Sequence, residues 1–232
     1  MADARRVLLT GAFGTVGGET LKALVHAGYR VTALDVRSDA STARQAQLAK
    51  TLDFETAWVD ITDKAAVGSL LTTSGFEAIL HVAAIIPPLA YTRPDLARAV
   101  NVDGTRNLIE AAEGLDPKPR FIYTSSYSVH GPRNPHRGLP PLTAESPVAP
   151  ADNYACHKLE CERAPVEPWA VTDFQAVAQG YVSLTPVHYE LTSRPGLADL
   201  LRWPLTTLAR SDDGAAAHED APAATRTSGG AS

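Results

Sequence analysis

The chain has 232 residues, 44% hydrophobic, 20% charged and 6% aromatic, with 21 basic against 26 acidic side chains and a net charge of −5. That is enough for one sizeable core, since domains usually run to about 100–200 residues, and the charge is wrong for a general nucleic-acid binder, which needs clustered Lys and Arg against phosphate. The longest apolar stretch, Ala78 to Ala90, is broken by His81, Pro87 and Pro88, far short of the roughly 20 residues of a membrane-spanning helix.

Val7 to Thr10 reads as a strand, and Gly17 to Ala27 as a helix ended by Gly28. Arg30 to Leu34 is a second strand, Ser41 to Thr51 a helix, Ala57 to Val59 a short strand and Asp63 to Leu71 another helix. Ala78 to Val82 reads as a buried strand, Pro94 to Glu113 as one long helix with proline in its first turn, Phe121 to Thr124 as a strand and Ala151 to Arg163 as a helix. Strands alternating with helices at this spacing predict parallel βαβ units, a Rossmann-type, doubly wound α/β sheet. The pattern changes after Arg163. All five lysines lie before that point, and prolines recur at 165, 168, 186, 195 and 204. Tyr181 to Leu184 as a strand and Leu197 to Arg202 as a short helix are weak signals, and 211–232 has almost nothing to bury and is expected to be disordered. The predicted organisation is a nucleotide-binding domain over 1–163, an irregular region over 164–210 and the tail.

Three constellations carry chemistry. The first is Gly11-x-x-Gly14-x-x-Gly17, with Phe13, Thr15 and Val16 between the glycines, at the first strand-to-helix turn. Glycine there lets the turn be tight and the backbone approach a pyrophosphate held at the positive end of a helix. Such a triplet alone is an ordinary turn; its placement makes it a dinucleotide signal. Asp35, 18 residues beyond Gly17 at the end of the second strand, is placed to accept hydrogen bonds from the adenosine ribose. A carboxylate there repels a 2′-phosphate, so NAD is favoured, while Arg37 leaves NADP open.

The second is Tyr154-x-x-x-Lys158, a spacing that puts both side chains on one helix face. A tyrosine has an ordinary pKa of about 10, so a base working near neutrality needs roughly 4 kcal/mol of extra stabilisation of its phenolate. A neighbouring ammonium and a cationic nicotinamide can provide it. The third is Thr124-Ser125-Ser126 at the carboxyl end of a strand, where ligands of open α/β sheets bind.

With these in order, the first 163 residues or so resemble the extended short-chain dehydrogenases/reductases, in their NAD-dependent epimerase/dehydratase branch. The resemblance also uses Val59-Asp60, His81-Val82-Ala83-Ala84 and Asn101-Val102-x-Gly104-Thr105. It implies that Asp60 and Ile61 lie by the adenine, that Ala83, Ala84 and Thr124 line the cofactor cleft, and that Asn101 sits near the active site. It further implies Ser126, five residues before Gly131, as catalytic serine, Tyr154 as general base, and Lys158 as the residue that holds the nicotinamide ribose and lowers the tyrosine pKa. Ile86, in the apolar loop Ile85 to Leu89, and Ser125 join Ser126 as expected substrate contacts. His130 stands where the family often has tyrosine. A larger departure is Trp169 to Asp173, which occupies the place of a family strand but lacks its arginine and the Gly-Pro after it. A reading-frame change or truncation in the source is the expectation there.

The resulting expectation is a cytoplasmic oxidoreductase moving a hydride between nicotinamide and a carbinol carbon of a sugar, nucleotide sugar or similar substrate. Epimerase, dehydratase and dehydrogenase outcomes stay open, and a nicotinamide-binding protein without turnover or an inactive truncated product is the alternative. No membrane or nucleic-acid partner is expected, and a homodimer through the Rossmann-domain helices is left open. Cys156, His157 and Cys161 crowd one helix without a second ligand pair, so no metal site is expected. No disulfide framework or signal peptide is expected, His26 and His81 are read as packing or surface histidines, and Arg133 to Arg137 as a solvated loop.

Overall fold

The computed structural model describes residues 5–132, 142, 146–163 and, as backbone, 170–172. Six parallel strands are β1 (Arg6–Thr10), β2 (Arg30–Asp35), β3 (Glu55–Trp58), β4 (Ala78–His81), β5 (Arg120–Tyr123) and β6 (Ala170–Thr172). They lie in the order β3-β2-β1-β4-β5-β6. The chain therefore winds outward from β1 to β3 and then returns to the other side of β1. That reversal opens a crevice at the carboxyl ends of β1 and β4, the place where open α/β sheets take ligands.

Period-two alternation decides which residue faces which helix. Leu8, Leu34, Ile79 and Phe121 are buried on one face with Val67 and Leu71 of α3 (Lys64–Ser74) and with Leu108 and Ala112 of the helix Thr105–Glu113. Leu9, Val31 and Ala33 are buried on the other, with Leu21 of α1 (Thr15–His26) and Leu48 of α2 (Asp39–Leu48). The turns follow ordinary chemistry: Gly28 after α1 and Gly75 after α3 have φ of 85° and 60°, where a Cβ is strained.

Most element ends shift from the sequence expectation by one to three residues, and three differences stand out. α2 starts before Ser41, because Ser38 and Ser41 form a reciprocal capping box and Ser41 belongs to the first turn. The long helix expected from Pro94 is interrupted. It runs as α5 (Pro94–Arg98), a π-helical segment Ala99–Gly104, and α6 (Thr105–Glu113), preceded by the short α4 (Leu89–Thr92). The Asn101 carbonyl accepts from the Thr105 hydroxyl at 2.7 Å and the Cys161 thiol at 3.1 Å, side-chain competition of the kind that accompanies π-bulges. Beyond α7 (Asn153–Glu162), Ala170–Thr172 continues the sheet by pairing in parallel with Phe121–Tyr123. The readings over Arg133 to Arg137, Tyr181 to Leu184, Leu197 to Arg202 and 211–232 lie outside the described residues.

Candidate active site

The crevice floor is glycine because nothing larger fits. A Cβ on Gly11, which has φ of 65°, would meet the Ala83 Cα at 2.7 Å, and one on Gly17 would meet the Gly11 carbonyl oxygen at 2.0 Å. The turn thus packs directly against the Gly11 and Ala83 backbones. Gly14 begins α1 without a side-chain cap, and the first turn holds no acid, so its outward amides offer a positive end to an anion. Gly14 and Thr15 are exposed, Val16 half-buried, and the Phe13 ring is buried against Trp58 at a centroid distance of 5.3 Å.

Asp35 closes the turn from the neighbouring strand. Its Oδ2 accepts from the Phe13 amide and its Oδ1 from the Val36 amide, both at 2.9 Å. Burial pushes its pKa up, opposed by those two hydrogen bonds. The Arg37 guanidinium lies over the Trp58 ring, 5.0 Å from its centroid. Asp60 accepts from the Thr62 amide and hydroxyl, and Asn107 donates to the Ile61 carbonyl at 3.0 Å. Ile61 is buried, and a Cβ on Gly104 would come within 2.6 Å of its Cγ1. The residues present fit a dinucleotide: a glycine cradle that a Cβ would fill, uncapped helix amides for pyrophosphate, and a carboxylate at the ribose end.

At the other end, α7 begins on the Asp152 side chain, which caps the Ala155 amide. Its buried face carries Tyr154 and Lys158. The Lys158 Nζ donates to the Thr124 carbonyl at 2.6 Å and stands 5.8 Å from the Tyr154 ring centroid and 4.6 Å from that of Tyr123. Ser126 stands close enough to the Tyr154 hydroxyl for a bond that favours its phenolate. The pKa of the phenol lies above the ordinary value because burial outweighs that bond, with the Asp152 charge adding to the rise. The protein alone therefore does not produce the lowering expected from the neighbouring ammonium.

Ser126 begins a short 3-10 turn, Tyr127–His130, and its Oγ accepts from the Ser128 amide at 3.2 Å and the Ser128 hydroxyl at 2.9 Å. Ser128 was not singled out in sequence; the two-residue spacing from Ser126 is its only signal. The Ser125 hydroxyl is buried and donates to Glu162, and the Thr124 hydroxyl donates to the His81 carbonyl at 2.9 Å. Asn101 uses its side chain on Ile85, accepting from the amide at 2.7 Å and donating to the carbonyl at 2.9 Å. Ala83 and Ala84 are half-buried and Ile86 is exposed.

A family model, the NAD dependent epimerase/dehydratase family, matches residues 7–178. The chain belongs to that family. UDP-glucose 4-epimerase 4 of Oryza sativa subsp. japonica is 33% identical over 168 residues, covering 68% of this chain and 43% of the rice protein. D-erythronate dehydrogenase of Haemophilus influenzae is 35% identical over 92 residues, 40% of this chain and 28% of its own. The structure of the UDP-Glc/GlcNAc 4-epimerase from Campylobacter jejuni matches with a TM-score of 0.62 at 28% identity, covering 68% of this chain and 47% of that one. The chain thus spans less than half the length of these relatives. Membership makes NAD the cofactor of this fold, in agreement with Asp35 at the end of β2. Among the described residues no helix is long and apolar enough to cross a membrane, and no group of three or more His, Cys, Asp or Glu side chains is placed to hold a metal.

One of the two histidines read in sequence as packing or surface is fully buried. His81 is 1% exposed, with Thr10 Oγ1 2.7 Å from Nδ1 and Thr105 Oγ1 2.8 Å from Nε2. Burial, and after it the Lys158 charge, push its pKa down to about 3. A histidine depressed in the fold gives its full stability above the unfolded value of about 6.5 and loses it as pH falls toward the folded value. Unfolding free energy is expected to drop by about 1.4 kcal/mol per pH unit below about 6.5. His157, also held low chiefly by burial, adds to the slope, so denaturant titrations of the protein and of His81→Asn at two acidic pH values isolate the His81 share. Equal slopes for the two proteins would contradict it.

Proposed function

We propose that this chain carries the nucleotide-binding half of an NAD-dependent sugar or nucleotide-sugar epimerase, dehydratase or dehydrogenase. The carrying observation is Lys158, bonded to the Thr124 carbonyl at the carboxyl end of β5, one helical turn from Tyr154 and with Ser126 beside the phenol. NAD, when bound, supplies the acceptor for a hydride and a positive ring charge. The chain's own residues do the rest. Gly11, Phe13, Gly14, Thr15, Val16 and Gly17 receive the pyrophosphate, Asp35 the adenosine ribose, and Asp60 and Ile61 bound the adenine. Ala83, Ala84, Asn101 and Thr124 shape the cleft wall. Tyr154 takes the proton from the substrate hydroxyl, Ser126 holds the same oxygen, and Lys158 holds the nicotinamide ribose. Ile86 gives an apolar wall for the substrate, and Ser125, whose hydroxyl is bonded to Glu162, joins Ser126 on the substrate side. A homodimer would use α6 and α7, whose outer faces border an open groove of about 720 Å³.

A nicotinamide-binding protein without turnover is the second reading, favoured by one observation: the phenol of Tyr154 is held above its ordinary pKa rather than below it. NAD and NADH titrations of the purified chain, followed by calorimetry and by the thermal midpoint, test both. Saturable binding with a raised midpoint is expected. Absence of binding removes both readings, and binding without hydride exchange on addition of UDP-hexoses selects the second.

A further inference from the structure

His81 is a buried titratable group that the proposed proton transfer does not use, and the hydrogens around it can be placed by counting. The Thr10 hydroxyl oxygen accepts from the Val82 and Ala83 amides, each at 3.2 Å. Both its lone pairs are then used, so its one hydrogen goes to the His81 Nδ1 at 2.7 Å. The ring proton of the neutral imidazole is therefore on Nε2, which donates to the Thr105 hydroxyl at 2.8 Å. That hydroxyl donates in turn to the Asn101 carbonyl at 2.7 Å. The directions run one way, from the Gly11 turn to the π-helical segment, and end on the residue whose amide side chain holds both backbone polar groups of Ile85.

We propose that His81, as its neutral Nε2–H tautomer, is a positioning residue that sets the two turns lining the cleft in register, acting through Thr10 on one side and through Thr105 and Asn101 on the other. On the Thr10 side it fixes where the Ala83 backbone passes Gly11, a contact that leaves no space for a Cβ. On the Thr105 side it fixes the Ile85 backbone, and with it the root of the apolar loop that carries Ile86. The neighbours bear this out as a site for a neutral ring. The Tyr123 and Phe121 rings flank it at centroid distances of 5.7 and 6.0 Å, and the cationic group acting on it is Lys158. The imidazolium would present a second N–H to a Thr10 hydroxyl that has no lone pair left.

The inference rests on this cleft being the cofactor site, but its test does not need cofactor. Nitrogen-15 spectra of the histidines, assigned by loss of a signal in His81→Asn, should show His81 as the Nε2–H tautomer at neutral pH; the Nδ1–H tautomer or the cation would overturn the proposal. Amide hydrogen exchange then compares Thr105→Val, which deletes the acceptor for Nε2–H, with Thr105→Ser, which keeps it. The Ile85 amide should exchange about tenfold faster or more in the valine variant and return to the original rate in the serine variant. The Leu8 and Ile79 amides in the sheet interior should not change between these proteins. An Ile85 rate that ignores the Thr105 hydroxyl, or that rises only together with the sheet amides, overturns the proposal. NADH affinity measured on the same proteins should fall severalfold in Thr105→Val alone. If the unsubstituted chain binds no NADH, the cofactor reading fails while the exchange result still decides the positioning role.

Discussion

Gly17→Ala is expected to remove nucleotide binding and to destabilise the chain by about 3 kcal/mol or more. A methyl group there would lie 2.0 Å from the Gly11 carbonyl oxygen and 2.8 Å from the Ala12 Cα. Both obstacles are backbone, so no rotamer change relieves them. The only release is to move the Gly11 turn off the start of α1, which also pulls apart the surface that receives pyrophosphate. Affinity for NADH should fall at least about a hundredfold, because the amide donors and the Asp35 carboxylate no longer converge. Gly68→Ala provides the contrast. That position lies inside α3, where a new Cβ meets nothing within 4 Å beyond the backbone of its own helix, so alanine there should stabilise by about 0.5–1 kcal/mol. Denaturant titration and NADH fluorescence on both variants check the pair. A Gly17→Ala protein that binds NADH as the parent does would refute the cradle.

Tyr154→Phe should slow hydride exchange with a nucleotide-sugar substrate by about a hundredfold to ten-thousandfold, the usual worth of a positioned proton-transfer group. NADH affinity should stay within about threefold, since the hydroxyl faces Ser126 rather than the nucleotide turn. The pH dependence follows from the direction of the shift. With the phenol held above its ordinary value, chiefly by burial, only a small fraction is phenolate at neutrality. The parent rate should therefore climb with pH by up to tenfold per unit on the acid side of the tyrosine's pKa in the complex. The phenylalanine variant should lose that climb. Single-turnover nicotinamide fluorescence across a pH series reads both quantities, and a variant that keeps the parent's rate and slope would sink the assignment.

What could be read from sequence was what short spacing encodes. Gly11, Gly14 and Gly17 announce a turn because they fall between a strand and a helix, and Asp35 is marked by the end of the next strand. Tyr154 and Lys158 are joined by a single helical repeat. All of these sit in the structure on the elements expected for them. Val7 to Thr10 was legible as a strand, and the fold then places Leu8 and Leu9 on opposite faces of the sheet. Contacts between distant positions were not. Thr10 and His81 are 71 residues apart and His81 and Thr105 are 24 apart, so no local periodicity relates them. The π-helical segment escaped for a related reason. Ala99 to Gly104 is poor in strong helix formers, but that does not distinguish a π-helical turn from a helix end, and its geometry accompanies contacts from Thr105 and from Cys161 on another helix. Burial of Tyr154 belongs to the same class. The pair spacing brings an ammonium near, but only the packed fold shows that burial raises the phenol's pKa.

The close approach of Gly104 to Ile61 carries a consequence for how such a chain can diverge. These positions lie 43 residues apart, yet the space for a side chain at one is occupied by the branched side chain of the other. Neither can be treated as an independent site of drift. A larger residue at 104 becomes tolerable once 61 has shortened, and a shortened residue at 61 leaves a void that a methyl group at 104 would refill. The two therefore form one packing unit, joining the π-helical segment to the turn after β3, and a change at either is expected to be tolerated best when paired with a compensating change at the other.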